Sequence, residues 1–168
     1  MVEMAWGARV SPDFRTKIEA IATSLGCDPS DLMSCIAFET GETFSPSIRN
    51  KKSGATGLIQ FMPKTANGLG TTTDALAAMS AEDQLDFVAK YFHPFHGRLA
   101  SVEDLYMAIL LPSAVGKPNA AVLFKKGTVA YDQNAGLDTN DDGEITKGEA
   151  AAKVVEKRTK GLSTVNRG

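Results

Sequence analysis

Ala37-Phe38-Glu39-Thr40-Gly41, followed by Ser53-Gly54-Ala55-Thr56-Gly57-Leu58-Ile59-Gln60-Phe61-Met62-Pro63, is the stretch on which the reading of this chain turns. It sets one carboxylate at the end of an apolar helix, then a glycine-punctuated turn and a short apolar segment. A carboxyl enclosed between Phe38 and Leu58 to Met62 would be desolvated, and desolvation raises a carboxyl pKa. Glu39 is therefore a candidate proton donor. Taken alone, a Glu at a helix end is more often a solvated charge, so its neighbours must decide.

Working outward, most of the chain has helical periodicity. Ser11-Pro12 reads as an N-cap with Pro at the first helical position, and Phe14, Ile18, Ile21 and Leu25 recur at helical spacing up to Gly26. A second helix starts near Asp28-Pro29-Ser30, with Leu32, Cys35, Ile36 and Glu39 on one face. The period stops from Glu42 to Gly57, where Pro46, Asn50, Ser53 and Gly54 indicate an irregular loop or small hairpin. Ser80-Ala81-Glu82-Asp83 and Ser101-Val102-Glu103-Asp104 resemble capping boxes, each ahead of a helical pattern, and Pro112 stops the second. A short helix is expected around Asn119 to Phe124. His93 and His96 lack metalloprotease spacing and suit a helix-end or packing role.

Composition narrows the function. With 168 residues, 43% hydrophobic and 23% charged, the chain is of single-domain size with enough apolar content for a core. A formal charge of -2 and no dense Lys/Arg run exclude nucleic acid as the main partner. No apolar run approaches the roughly 20 residues that span a bilayer, so no membrane insertion is expected. Met1 to Val10 lacks the pattern of a signal peptide. Cys27 and Cys35 have no metal-ligand spacing and read as free thiols or a single bridge.

Asp138-Thr139-Asn140-Asp141-Asp142-Gly143-Glu144-Ile145-Thr146-Lys147-Gly148-Glu149 matches the twelve-residue EF-hand loop. Alternate residues of a tight loop aim hard oxygens at one centre, as Ca2+ requires. Asp138, Asn140, Asp142 and Glu149 are the side-chain candidates. Glu144 would give its backbone carbonyl, and Thr146 would contact the ion directly or through water. Gly143 sits at the sharp turn, and Thr146 with Glu149 also caps a following helix. A single loop, with Tyr131 to Leu137 as a poor entering helix, points to structural calcium rather than a switch.

The helix ending in Glu39-Thr40, the Gly57-Leu58-Ile59-Gln60 segment and the later Leu105-Tyr106-Met107-Ala108 together resemble the soluble lytic transglycosylase family, over about residues 11 to 125. That family's usual motifs are Glu-Ser, Gly-Leu-Met-Gln and Ala-Tyr-Asn-Ala-Gly. The resemblance implies an all-α, lysozyme-like fold with a small hairpin or loop. With Lys125-Lys126-Gly127 as a break, the chain is expected to divide into a catalytic domain over 1–126 and a calcium-binding segment over 127–168 packed on it. The resemblance further implies Glu39 as catalytic acid then base, and Thr40 keeping a hydroxyl contact. Gly57, Leu58, Ile59 and Gln60 would form the cleft wall, and Tyr106 would hydrogen-bond Glu39 or the substrate. Met107 stands where the family has Asn, and Leu110-Leu111-Pro112-Ser113 replaces its glycine-rich continuation.

The activity so implied is cleavage between N-acetylmuramic acid and N-acetylglucosamine in peptidoglycan, closing a 1,6-anhydro ring. A hydrolytic muramidase is the alternative, with Glu42 as base if it faces the cleft at carboxyl separations of about 6.5–9.5 Å; otherwise Glu42 is a solvated loop residue. A calcium-dependent glycan-binding protein without turnover is the reading from another class. The expected enzyme is a monomer made in the bacterial cytoplasm and acting on the wall or periplasm, delivered by holin-dependent release, a virion or a secretion system.

Overall fold

Ser11 accepts a hydrogen bond from the Phe14 backbone N–H and Pro12 presets the first turn, so α1 (Pro12–Leu25) begins where its capping chemistry puts it. Its Phe14, Ile18, Ile21 and Leu25 are buried. Asp28 caps α2 (Pro29–Glu39) by accepting from the Ser30 N–H at 2.7 Å. Every residue of α2 from Ser30 to Ala37 is buried, the mark of a central helix rather than an amphipathic surface one.

The computed structural model describes residues 3–168, and the protein is mostly helical with one two-stranded antiparallel sheet. Residues 1 and 2, which open the stretch read against a signal peptide, lie outside the described residues. After α2 come α3 (Pro63–Gly68), α4 (Thr73–Ala78), α5 (Ala81–Phe92) and α6 (Val102–Leu110). Then follow β1 (Val122–Lys125), α7 (Val129–Asn134), β2 (Glu144–Thr146) and α8 (Lys147–Gly161). Among the described residues no helix is long and apolar enough to cross a membrane.

Helices α1, α6 and α8 pack around α2, and α5 packs on α1. The core does not divide at residue 126. Ile145, Ala150, Ala151 and Val154 are fully buried in the same cluster as Leu32, Met33 and Leu105. Trp6, also fully buried, donates its indole N–H to the Lys157 carbonyl at 2.9 Å, and Met4 exchanges backbone hydrogen bonds with Gly168. The C-terminal helix is thus part of the frame that holds α2.

The helix expected over Asn119 to Phe124 is instead a turn at Asn119 and Ala120 that leads into β1. Val122, Leu123 and Phe124 favour an extended chain, and Ile145 in β2 offers them a partner. Phe124 pairs with Ile145 and Lys125 with Glu144, with an irregularity between Val122 and Phe124. One further buried contact ties α8 to α6. Lys147 is 1% exposed, and its ammonium donates to the Asp104 carboxylate and to the carbonyls of Lys117 and Ala114.

Candidate active site and candidate metal centre

Glu39 is the last residue of α2, where the helix leaves the core, and its side chain is mostly buried. Burial raises its pKa from 4.5 to about 7. No ion pair offsets that desolvation among the described residues. A carboxyl near pKa 7 exists in both protonation states at neutral pH, which lets it give a proton and later take one.

Two tyrosines sense this charge. Burial raises the pKa of the Tyr106 phenol, and the nearby Glu39 carboxylate raises it further. The same two causes, in that order, raise Tyr91. Tyr106 stands edge-on to Phe38, with ring centroids 5.5 Å apart at 88°. It makes no hydrogen bond to Glu39. Tyr91, on α5, donates its hydroxyl to the Ala108 carbonyl at 2.5 Å. It also lines a narrow indentation of about 60 Å³ with Gln60, Met62 and Thr65. The sequence reading omitted Tyr91; an aromatic three residues after Val88 reads as core.

The remaining residues drawn from the resemblance divide into two groups. Gln60 stays half-buried with φ 54°, and its amide N–H donates to the Gly57 and Ile48 carbonyls, leaving the amide oxygen without a protein donor. Ile59, 3% exposed, contributes little surface to the same indentation. Leu58 and Thr40, by contrast, are fully buried. Contrary to the expectation of a substrate contact at either position, Leu58 fills the core, and the Thr40 hydroxyl donates to the Ile36 carbonyl and accepts from the Phe44 N–H. Thr40 shapes the turn after Glu39. Met107 is likewise fully buried and presents nothing to a ligand.

Gly57 has a structural duty. Its φ is 84°, and a Cβ there would lie 2.2 Å from Gln84 Oε1. Gln84, itself fully buried, accepts from the Leu58 N–H at 2.7 Å and donates to the Leu76 and Pro46 carbonyls at 2.8 and 3.0 Å. One amide thus ties two points of the connection between α2 and α3, Pro46 and the turn that carries Gln60, to Leu76 of α4. Sequence reasoning missed Gln84 because a polar residue early in a helix looks solvated.

Glu42 is held by α8. Its carboxylate accepts from Lys157 and Lys160 of α8, and those hydrogen bonds lower its pKa. A wider apolar groove of about 450 Å³ lies between α1 and α5, lined by Ala20, Ile21, Leu25 and Ala89. It holds no carboxylate.

The acidic loop keeps its own hydrogen-bond order. Asp138 Oδ2 accepts from the Gly143 N–H, Asn140 Oδ1 from the Asp142 N–H, and Asp142 Oδ1 from the Glu144 N–H. The Thr146 hydroxyl donates to Glu149 Oε1. The Glu144 side chain pairs with Lys125, leaving its backbone carbonyl as its candidate ligand atom. Asp138 Oδ1 and Glu149 Oε2, at the first and last loop positions, are buried with no hydrogen-bond partner. Among the described residues no cluster of three or more His, Cys, Asp or Glu side chains closes as a metal centre; Asp142 faces the loop backbone and Asn140 instead.

No family model matches this chain, and no curated protein matches it.

Proposed function

We propose that the protein is a peptidoglycan-cleaving enzyme of lysozyme-like fold, a lytic transglycosylase in which Glu39 is both general acid and general base. The observation that carries the reading is a single mostly buried carboxyl, held near pKa 7 without a basic partner, beside two tyrosines. In its protonated state Glu39 donates to the glycosidic oxygen as the bond to the muramic acid C1 breaks. The resulting carboxylate then takes the proton of the C6 hydroxyl as that oxygen closes on C1. Proton and bonds balance without water or a second acid.

Hydrogen-bond order favours this over the inverting hydrolase, because Glu42 is neutralised by two lysines. The turn at Gly57 to Gln60, pinned by Gln84, would hold the glycan strand across the narrow indentation.

The twelve-residue loop fits Ca2+. Two buried carboxylate oxygens at its first and last positions have no protein donor, and such groups are costly unless compensated. Asp138, Asn140, Asp142, Thr146, Glu149 and the Glu144 carbonyl would hold the ion. Bound there, Ca2+ supplies folding free energy by joining the ends of the loop.

The test is digestion of purified sacculi by wild type and Glu39→Gln. Clearing by the wild type alone supports the proposal. Glycan binding without turnover by the wild type would instead identify a non-catalytic binder.

A further inference from the structure

We infer that Tyr131 is a positioning residue of the metal centre, holding one oxygen of Asp138 so that the other is presented to the cation. The inference rests on the calcium reading of the loop and extends it to a residue outside the twelve.

Thr128 caps α7 by accepting from the Tyr131 N–H at 3.1 Å, which fixes the start of the short helix before the loop. From there the Tyr131 hydroxyl donates to Asp138 Oδ2 at 2.6 Å. The Gly143 N–H donates to the same oxygen at 3.0 Å. Both donors therefore converge on Oδ2. Oδ1 of the same carboxylate is buried and has none, although Asp138 is only 8% exposed. A carboxylate with one oxygen doubly bonded and the other bare is set for single-oxygen coordination.

Glu149 mirrors this arrangement. Its Oε1 accepts from Thr146 and its Oε2 is buried without a partner. The backbone donor from Gly143 belongs to the loop pattern itself. The phenol does not, and it comes from seven residues earlier in the chain. Hydrogen bonds of this outer kind orient ligands, and removing one typically weakens metal affinity about 10–100-fold. Phe at 131 would keep the ring and lose only the hydroxyl, leaving Gly143 alone to restrain the carboxylate.

Calorimetric titration of chelator-stripped full-length protein with CaCl2 tests this, comparing wild type, Tyr131→Phe and Asp138→Asn. The expected result is a Kd for Tyr131→Phe about 10-fold weaker than wild type, with metal-free circular dichroism spectra that coincide. Asp138→Asn should abolish binding. Equal affinity of wild type and Tyr131→Phe would overturn the role of Tyr131 while leaving the calcium loop standing. Absence of binding by the wild type would overturn the calcium reading, and this inference with it.

Discussion

Lys160 donates from its ammonium to both oxygens of Glu42, at 2.7 Å each, and Lys157 donates to one of the same oxygens. The acid nearest Glu39 in the chain is thereby committed to α8 rather than to a substrate. A carboxylate whose pKa is lowered by such pairing is a weak base. Glu42→Gln is expected to keep turnover within about threefold of wild type and to cost roughly 0.5–1 kcal/mol of stability, typical of a partly exposed ion pair. Steady-state rates on sacculi check it; a loss of about a thousandfold would restore Glu42 as a base.

Glu39 should make the fold less stable as pH rises. Its pKa stands at about 7 in the folded protein against an ordinary value of 4.5. Between those values the folded state keeps a proton that the unfolded chain has released. Stability therefore falls through this window and stays lowered above pH 7. Glu39→Gln removes the penalty: it should be roughly 1–3 kcal/mol more stable than wild type at pH 8 and equal to it at pH 4. Urea unfolding at the two pH values checks this, and a pH-independent difference would contradict it.

Any side chain at position 57 must displace Gln84 while adopting φ 84°. Moving Gln84 surrenders its three hydrogen bonds to Leu58, Leu76 and Pro46. Gly57→Ala should cost about 3 kcal/mol, combining backbone strain with buried unpaired polar groups. A change below about 1 kcal/mol in urea unfolding would show that the turn yields easily.

Lys147→Met would leave the Asp104 carboxylate and two carbonyls facing a buried site without their ammonium donor. Breaking a buried pair from one side costs about 3–5 kcal/mol. The same loss is expected from Asp104→Leu, and replacing both residues should recover part of it. Chemical denaturation of the two single variants and the double variant measures the coupling.

Chelation should lower the melting temperature, and Glu149→Gln should abolish the difference between calcium-loaded and chelated samples. Calcium at 100 times its Kd stabilises by about 2.7 kcal/mol. Scanning calorimetry with and without chelator checks both; coincident melting curves for the wild type would remove calcium from the account.

Much of the frame was legible in the sequence because local chemistry wrote it. Ser11, Asp28, Ser80 and Ser101 each accept the backbone hydrogen bond their positions implied, and the apolar face of α1 is the buried one. The place of α8 was not legible. Its buried residues include Ala150, Ala151 and Val154, whose small size signals no core until α2 and α6 close on them. The short helices α3 and α4 went unseen among turn residues. In the candidate site, Glu39 could be picked out from its apolar neighbours. Thr40 could not be assigned, since only the folded turn shows its hydroxyl bonded to Ile36 and Phe44. Gln84 was hidden for the same reason: only the folded chain brings Pro46, Leu58 and Leu76 to its amide.

In the proposed mechanism one carboxyl, Glu39, cleaves the glycan by closing a ring rather than by adding water. Mass spectrometry of the muropeptides released from purified sacculi tests it most directly. The account predicts 1,6-anhydro ends from the wild type and no release by Glu39→Gln. Reducing ends from the wild type, or undiminished release by Glu39→Gln, would contradict it.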